Sequence, residues 1–170
     1  PTHPSYPPSR YPSVSVETDG YTFHQKSSHD MSEVDDESVQ LVFTSPPYFQ
    51  QRIYNDGDEV SLGQEDTPEE YVSNLLAHLD DVKRVLRNDG SFFFVLGDKF
   101  QDMNLLNLPH RVAIGLQTKG WTQRNSIVWK KSNPIPTSTK SNLASSYEMI
   151  FHFTKTKSYF YQPTRVPVSA

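Results

Sequence analysis

The chain has 170 residues, a formal net charge of −4 at pH 7 and no cysteine. Its length is that of one domain with a core of its own, and the lack of cysteine excludes a disulfide framework, a zinc knuckle and a thiolate nucleophile. The longest apolar run, Phe92-Phe-Phe-Val-Leu96, is too short to cross a membrane. We therefore expect no membrane association and a cytoplasmic setting.

The charge is divided unevenly along the chain. Residues 1–110 hold seven Lys/Arg against nineteen Asp/Glu, a balance of −12, whereas residues 111–170 hold nine against one, Glu148, a balance of +8. A basic segment of this kind attracts a polyanion through phosphate contacts. A solvated basic surface would have the same composition, so charge alone leaves both readings open.

The N-terminal part predicts little regular structure. Five prolines within residues 1–13 predict an irregular arm. Residues 14–17 and 21–24, on either side of an Asp-Gly turn, predict a short hairpin. The acidic residues 30–38 predict a short helix or a loop.

A short apolar run, Val39-Gln-Leu-Val-Phe-Thr44, stops at Ser45-Pro-Pro-Tyr48. The β-branched and aromatic residues predict a buried strand of a parallel sheet, since two successive prolines prevent either a helix or a strand ladder from continuing. Ligands of open α/β sheets bind at the carboxyl ends of the strands. The prolines also restrict the backbone beside them, so we expect a rigid site that presents a hydroxyl, a carbonyl and an aromatic ring.

Alternating helices and strands follow this corner. Residues 49–66 form a polar loop long enough to be functional or mobile. Thr67-Pro-Glu-Glu70 predicts a capped helix start, an apolar stripe runs to Leu86, and Asn88-Asp-Gly90 predicts the helix end. Further elements are expected in the order strand 91–97, helix 107–120, strand 121–129 and strand 147–154, with a turn at 154–158 leading into residues 159–161. The pattern predicts an α/β sheet built from two βαβ units.

Six blocks of the sequence, in this order, resemble the amino-group DNA methyltransferases, and within them the permuted class in which the catalytic motif precedes the cofactor motif. The blocks are Thr44-Ser-Pro-Pro-Tyr48, Leu62-Gly-Gln-Glu65 with Thr67-Pro-Glu-Glu-Tyr71, Val85-Leu-Arg-Asn-Asp-Gly90 with Leu96-Gly-Asp98, Pro109-His-Arg-Val-Ala113 with Gly120-Trp121, Val128-Trp-Lys-Lys-Ser-Asn-Pro-Ile-Pro136, and Tyr147-Glu148 with Phe153-Thr-Lys155 and Tyr159-Phe-Tyr161.

This resemblance implies a Rossmann-like class I methyltransferase sheet, mostly parallel with an antiparallel strand near the C-terminus, and S-adenosylmethionine as cofactor. The family holds its cofactor with a Phe-x-Gly-x-Gly loop, but no Gly-x-Gly occurs in this chain, and Gln25-Lys26 stands where relatives usually have Gly-Asp. We therefore expect an incomplete sheet, with residues 14–162 as the catalytic region. Residues 163–170 would lead to a cofactor half on a C-terminal continuation or a second chain, and without that half the strand at 39–44 would be a bare edge.

The resemblance also assigns roles to single residues. Ser45, Pro46, Pro47 and Tyr48 would form the catalytic corner, while Thr44, Ser45 and Lys26 are candidates for cofactor contacts. The candidates for contact with the target base or with DNA are Asp98, Trp129, Lys131, Asn133, Pro134, Lys119, Arg124 and Lys140. Asp98 could equally cap a turn instead of contacting the base. Trp129 could equally be a core residue. The six histidines have no metal-like spacing, so no metal site is expected.

The chemistry expected at this corner is methylation of an exocyclic amine. The lone pair of such an amine is delocalised into the base, so hydrogen bonds from the amine to the Ser45 hydroxyl and the Pro46 carbonyl would favour a more tetrahedral nitrogen and stabilise the transition state. The base must leave the duplex, and Tyr48 is the expected stacking surface, with a core aromatic as the alternative.

The resemblance thus implies a DNA methyltransferase of a prokaryotic or phage restriction-modification system that acts on double-stranded DNA. Ser, rather than Asp or Asn, before Pro-Pro-Tyr favours N4 of cytosine over N6 of adenine. The alternatives are an RNA amino-methyltransferase and a non-catalytic nucleic-acid-binding subunit that keeps the fold.

Overall fold

A computed structural model describes residues 14–52, 62–134, 136 and 140–163. The predicted arm at 1–13, residues 53–61 of the predicted loop at 49–66 and the tail from 164 lie outside these ranges. The elements in chain order are β1 (Val14–Thr18), β2 (Tyr21–Gln25), β3 (Val39–Thr44), α1 (Pro68–His78), α2 (Asp80–Val85), β4 (Leu86–Leu96), β5 (Phe100–Gln101), β6 (Asn104–Leu105), α3 (Leu108–Thr118), β7 (Thr122–Lys130) and β8 (Tyr147–Thr154).

The main sheet has four strands in the order β3-β4-β8-β7. β3 pairs with β4 in parallel, and β8 is antiparallel to both of its neighbours, β4 and β7. Three strands therefore run in one direction and β8 runs against them. The predicted class, a mostly parallel α/β sheet with an antiparallel strand near the C-terminus, is confirmed.

The core lies between this sheet and the helices α1 and α3, which pack against each other. Alternate residues of a strand point to opposite faces, so β4 presents Phe92 and Phe94 to the helices and both are fully buried. The other large buried side chains of this layer are Tyr71, Leu75, Leu108, Leu116, Phe151 and Phe153. Burying an aromatic or leucine side chain contributes about 1.5–3 kcal/mol, so this aromatic layer is the main stabilising element of the domain.

The helix starts follow the sequence signals. Thr67 caps α1 by accepting the Glu70 N–H at 3.2 Å, and Pro68 is the first helical residue. α3 ends close to Gly120, which has the positive φ of +83° that glycine tolerates. Of the helices within the described ranges, none combines the length and the apolar character needed to cross a membrane.

The end of the first helical segment differs from the prediction. α1 stops at His78, α2 follows, and β4 already begins at Leu86, so the Asn88-Asp-Gly90 stretch is extended rather than a helix end. A Cβ on Gly90 would lie 2.9 Å from the Gln40 carbonyl oxygen. This glycine therefore allows β3 and β4 to approach closely, at the point where their register shifts.

Three smaller features complete the comparison. The predicted N-terminal hairpin is confirmed as β1 and β2, whereas the β5–β6 hairpin was not predicted. Residues 30–38 form a loop, which Arg84 holds by donating to the carbonyls of Val34 and Met31 at 2.9 and 2.8 Å. Residues 159–161 are not a strand; Phe160 N instead donates to the Asp89 carbonyl at 2.9 Å.

His78, which packs against His29 with ring centroids 4.8 Å apart, should make the fold sensitive to acid. Burial, and then the neighbouring His29, lowers the pKa of His78 from 6.5 to about 4. On acidification, His78 of the unfolded chain takes up a proton at a higher pH than His78 of the folded protein. The contribution of His78 to the free energy of unfolding is therefore constant above the pKa of the unfolded state and falls as the pH drops towards the pKa of the folded state. We expect the urea midpoint to fall on acidification through this window, before most carboxylates titrate.

The control for this prediction is another histidine. His78→Gln should flatten the dependence, whereas His110→Gln, at an exposed position in α3, should retain it. A wild-type midpoint that does not change over the window would contradict the prediction.

Candidate functional site

The Ser-Pro-Pro-Tyr corner lies at the carboxyl end of β3, next to the carboxyl end of β4. Gly97 directly follows β4, and a Cβ built on it would stand 2.6 Å from Cε2 of Tyr48. The Tyr48 ring therefore lies across the Gly97 backbone, where no larger residue fits without moving the ring. The edge of the sheet predicted to hold a site is the edge where these residues meet.

A second set of residues supports the corner from behind. Tyr71, fully buried in α1, donates its hydroxyl to the Pro47 carbonyl at 2.8 Å. Gly63 has a φ of +92°, and a Cβ there would lie 3.0 Å from the Tyr48 carbonyl oxygen. The buried Glu65 carboxylate fixes this turn by accepting the Gly63 N–H at 2.9 Å. The two prolines are thus held by packing as well as by their own rings.

We expect Tyr71→Phe to lower the free energy of unfolding by about 1–2 kcal/mol, because the Pro47 carbonyl loses its only donor within the described residues. Burial raises the pKa of Tyr71, so its hydroxyl keeps the proton that it donates. Urea unfolding of the complete protein measures the change. Tyr161→Phe, at an exposed position, should leave the midpoint almost unchanged; an equal loss in both variants would contradict the assignment.

The Tyr48 hydroxyl connects the corner to the two C-terminal strands. Tyr48 Oη donates to Glu148 Oε2 at 2.8 Å and lies 3.3 Å from Ser45 Oγ. The other carboxylate oxygen of Glu148 forms an ion pair with Lys131 Nζ at 2.7 Å. Burial raises the pKa of Tyr48; the Ser45 hydrogen bond opposes this, and the Glu148 carboxylate adds to it.

Two acceptor oxygens are available at this edge. Ser45 is exposed, and its Oγ donates its proton to Tyr48 Oη, so both lone pairs of this oxygen are left to accept. Within the described part of the chain, no hydrogen bond reaches the Pro46 carbonyl. The contact expected from the sequence, in which an N–H₂ group donates to both oxygens, stays a prediction.

Two of the residues predicted to contact the base or DNA, Trp129 and Lys131, lie next to Glu148 and so on the side of the corner. Trp129, near the carboxyl end of β7, is paired in register with Glu148 and is 54% exposed, so the core alternative for this residue does not hold. Lys131 reaches the corner through Glu148. Asn133 and Lys140 are exposed and Pro134 is half-buried in the segment that follows β7.

Asp98 follows Gly97 but has a structural contact. Its Oδ1 accepts the Lys99 N–H at 2.9 Å and the Leu108 N–H at 3.1 Å. Leu108 is the first residue of α3, whose own N-cap residue, Asn107, makes no side-chain cap. Asp98 thus caps the helix, as the turn-cap alternative expected.

Other predicted residues are placed elsewhere. Lys119 follows α3 at the opposite edge of the sheet and pairs with Asp80 at 2.6 Å. Arg124, at the start of β7, lies over the Tyr159 ring at 4.9 Å. Lys26 is held by Glu33 at 2.9 Å. Thr44 ends β3, half-buried beside Ser45.

Glu148, Gly97 and Tyr71 were not predicted as site residues. Glu148 had two signals, because it belongs to one of the six blocks that resemble the family and is the sole acidic residue among residues 111–170. Gly97 and Tyr71 act through packing between segments, for which the sequence gives no direct signal. Among the residues that the structure describes, no cluster of His, Asp and Glu suits a metal ion.

A family model described as DNA methylase (N6_N4_Mtase) matches residues 39–170. The Type II methyltransferase M.MwoI of Methanothermobacter wolfeii is 35% identical over 132 residues, which cover 75% of this chain and 20% of that protein. M.XycI of Xanthomonas campestris pv. cyanopsidis is 35% identical over 161 residues, which cover 76% of this chain and 53% of that protein. The chain thus spans about half, or less, of these relatives.

Solved structures share the fold. The PvuII DNA methyltransferase, titled cytosine-N4-specific, superposes with a TM-score of 0.62 at 22% identity, covering 75% of this chain and 46% of that one. The protein TTHA0409 of Thermus thermophilus, in a complex with S-adenosyl-L-methionine, gives a TM-score of 0.56 at 24% identity, covering 79% of this chain and 52% of that one.

Proposed function

Since this chain belongs to the N6/N4 DNA methylase family, we propose that it carries the catalytic corner of an S-adenosylmethionine-dependent methyltransferase of a restriction-modification system. Its substrate is an exocyclic amine of a flipped base in double-stranded DNA, N4 of cytosine in preference to N6 of adenine. The observation that carries the proposal is the corner itself, in which Ser45 Oγ lies 3.3 Å from Tyr48 Oη and the Pro46 carbonyl has no hydrogen-bond partner within the described residues.

The corner acts on the amine by hydrogen bonding. The donor, when bound, supplies a methyl group on a sulfonium, and the amine nitrogen must direct its lone pair at that carbon. Accepting the two N–H bonds at Ser45 Oγ and at the Pro46 carbonyl pulls the nitrogen away from planarity, which helps the transition state more than the ground state. The rigid corner makes these contacts without reorganising.

Ser45 is also the basis for the base preference. In the family that the sequence resembles, Ser in place of Asp or Asn before Pro-Pro-Tyr points to cytosine N4. Tyr48, whose ring lies across Gly97 at the same edge, supplies the surface on which the flipped base stacks.

The donor site requires polypeptide beyond this catalytic half. β3, which carries the corner at its end, is an edge strand of the described sheet. Two of its apolar side chains, Leu41 and Phe43, are 56% and 62% exposed. Bare apolar edges of this kind are normally covered. Thr44 and Ser45 would face the donor from this edge, whereas Lys26, paired with Glu33, would have to leave its partner to do so. The covering segment, on the same or a second chain, supplies the glycine-rich loop that this sequence lacks.

We propose that DNA approaches from the side of the corner where Trp129 and Lys131 lie, and that Asn133, Pro134 and Lys140, further along the chain, belong to the same contact surface. Lys131 and Lys140 are the phosphate contacts that this placement favours. The predicted DNA contacts of Lys119 and Arg124 stay predictions. Because these residues lie at the opposite edge of the sheet, they would need a second contact surface for DNA.

The test is the product formed by the complete protein. We expect digestion of duplex DNA, treated with the protein and S-adenosylmethionine, to release N4-methylcytosine in nucleoside mass spectrometry. N6-methyladenine would overturn the base assignment, and methylation of RNA alone would overturn the substrate. DNA binding without any methylated base would replace the proposal with the non-catalytic binding subunit.

The incomplete donor site has its own measurement. By calorimetry we expect the 170 residues alone to bind S-adenosylmethionine more weakly than micromolar, and the complete protein to bind it in the micromolar range. Micromolar binding by these residues as a monomer would contradict the requirement for a second half.

A further inference from the structure

A chain of four polar groups runs from Ser45 through Tyr48 and Glu148, near the start of β8, to Lys131, which follows β7. Ser45 Oγ lies 3.3 Å from Tyr48 Oη, which lies 2.8 Å from Glu148 Oε2, and Glu148 Oε1 lies 2.7 Å from Lys131 Nζ. The Glu148 side chain is only 15% exposed, compared with 40% for Lys131. The carboxylate is therefore enclosed by the two groups that donate to it.

The chemistry of these groups fixes the direction of the hydrogen bonds. A carboxylate can only accept, so Tyr48 must donate its single proton to Glu148. The Tyr48 oxygen is then an acceptor towards Ser45, and the Ser45 hydroxyl must donate to it. The proton of Ser45 is thereby directed away from the surface where a base would bind.

A free serine hydroxyl is an ambiguous partner for an amine, because it can donate or accept. The amine must donate its N–H bonds to acceptors, which makes the nitrogen more nucleophilic, and a serine that donates to the nitrogen lone pair would block the reaction. Residues such as Asp avoid the problem because a carboxylate has no proton to give. A serine at this position needs another group to take up its proton.

We infer that Glu148, held in place by Lys131, is a positioning residue that acts through Tyr48 to keep Ser45 as an acceptor towards the amino group of the target base. The inference rests on the proposed function, and it assigns to Glu148 and Lys131 a part in the reaction although neither touches the base. It also gives Tyr48 a second role beside stacking.

The placement of Glu148 supports this role. It lies near the amino end of β8, which pairs with the carboxyl end of β4 through Met149 and Leu96, so the sheet itself brings it beside the corner. The link between Ser45 and Tyr48 is longer than the usual 2.7–2.8 Å for paired hydroxyls, so it is the weak link of the chain. Hydrogen bonds in a chain polarise one another, so an amine donating to Ser45 strengthens this link as well.

The first test is a kinetic cycle on the complete protein. Glu148→Gln keeps the shape and an acceptor for Tyr48 but removes the charge, while Tyr48→Phe keeps the ring and breaks the chain. We expect each variant to lower kcat at least about tenfold, with KM for DNA changed less than about threefold, since the lost interaction matters only in the transition state. The double variant should match Tyr48→Phe alone, because Glu148 acts only through the Tyr48 hydroxyl.

Glu69→Gln is the matched control. This variant loses an exposed ion pair between α1 and Arg111, and Glu69 makes no hydrogen bond to the corner within the described residues, so its kcat should stay within about twofold of the wild type. If the double variant loses activity by the product of the two single losses, or if Glu148→Gln leaves kcat unchanged, the inference is overturned.

The second test does not depend on activity. In protein labelled with ¹³Cζ-tyrosine, the Tyr48 resonance is identified by its loss in Tyr48→Phe and followed across alkaline pH. The Glu148 carboxylate contributes to the raised pKa of Tyr48, so Glu148→Gln should move the titration of this resonance to lower pH. An unchanged titration would show that the two side chains are not coupled, and would overturn the inference.

The two proposals fail differently. A wild-type protein that methylates neither base removes the proposed function, while the Tyr48 titration still decides whether the chain of hydrogen bonds exists. An active wild type with independent losses at Tyr48 and Glu148 keeps the proposed function and removes the chain.

Discussion

Replacing Ser45 with alanine should lower kcat for methyl transfer about 100-fold and leave the fold intact. Removing one preorganised polar contact to the reacting group costs about 10²–10³ in kcat in comparable sites. Ser45 is exposed, so the substitution creates no cavity and leaves no buried group without a partner. The expected readout is the rate of tritiated methyl transfer to duplex DNA at saturating substrate.

Ser38→Ala is the matched control for this change. Ser38 precedes the other end of β3, where its hydroxyl donates to the Asp35 carbonyl at 2.7 Å. This variant should transfer methyl groups at the wild-type rate. If Ser45→Ala also retained that rate, Ser45 would not be the acceptor and the catalytic corner would have to be sought elsewhere.

Gly97→Ala should reduce kcat by a comparable factor although it adds only one methyl group. The new Cβ would stand 2.6 Å from Tyr48 Cε2, whereas carbon atoms pack at about 3.5–4.0 Å, so the ring has to move by roughly 1 Å. A displacement of this size at a catalytic constellation can cost about 100-fold. It would also break the 2.8 Å contact between Tyr48 and Glu148.

Gly115→Ala separates this effect from general instability. Its Cβ would lie 2.4 Å from Leu76 Cδ1, at the packing of α1 against α3, away from the corner. Such overpacking typically costs about 1–3 kcal/mol, so this variant should unfold at lower urea concentration and keep its kcat. Gly97→Ala with unchanged kcat would mean that the Tyr48 ring position does not govern the rate.

The strands of this fold could be predicted because each carries a local signal. Residues 39–44 are a β-branched and aromatic run stopped by two prolines, and residues 147–154 were predicted as a strand with the bounds that the structure has. The start of α1 was equally local, since Thr67 and Glu70 form the predicted cap. These features depend on residues within one or two turns of each other.

The end of the helical segment could not be predicted in the same way. The apolar stripe continues past His78 into Leu86, and Asn-Asp-Gly is a common helix end, so the local pattern favours one long helix. The chain instead enters β4 at Leu86, because pairing with Val39 and the close approach at Gly90 outweigh that preference. Interactions between distant segments decided this boundary.

The site shows the same division. Ser45 to Tyr48 were recognised as one unit, and the structure places them at the predicted edge of the sheet. The partner of Tyr48, however, is Glu148, a hundred positions along the chain. A contact of that separation leaves no trace in spacing or periodicity, and the sequence marked Glu148 only by its place in one of the six blocks and by its solitary charge in a basic segment.

The insertion of β8 between β4 and β7 also constrains the order in which the molecule can be assembled during synthesis. β4 pairs through Phe92 with Phe153, so a nascent chain that has already produced β4, α3 and β7 still holds a gap in its sheet. Contacts of this sequence separation fold slowly and expose aromatic strands in the meantime. β8 is the last of the four strands of this described sheet to be synthesised, so its insertion closes the gap and brings Glu148 to Tyr48 in a single event.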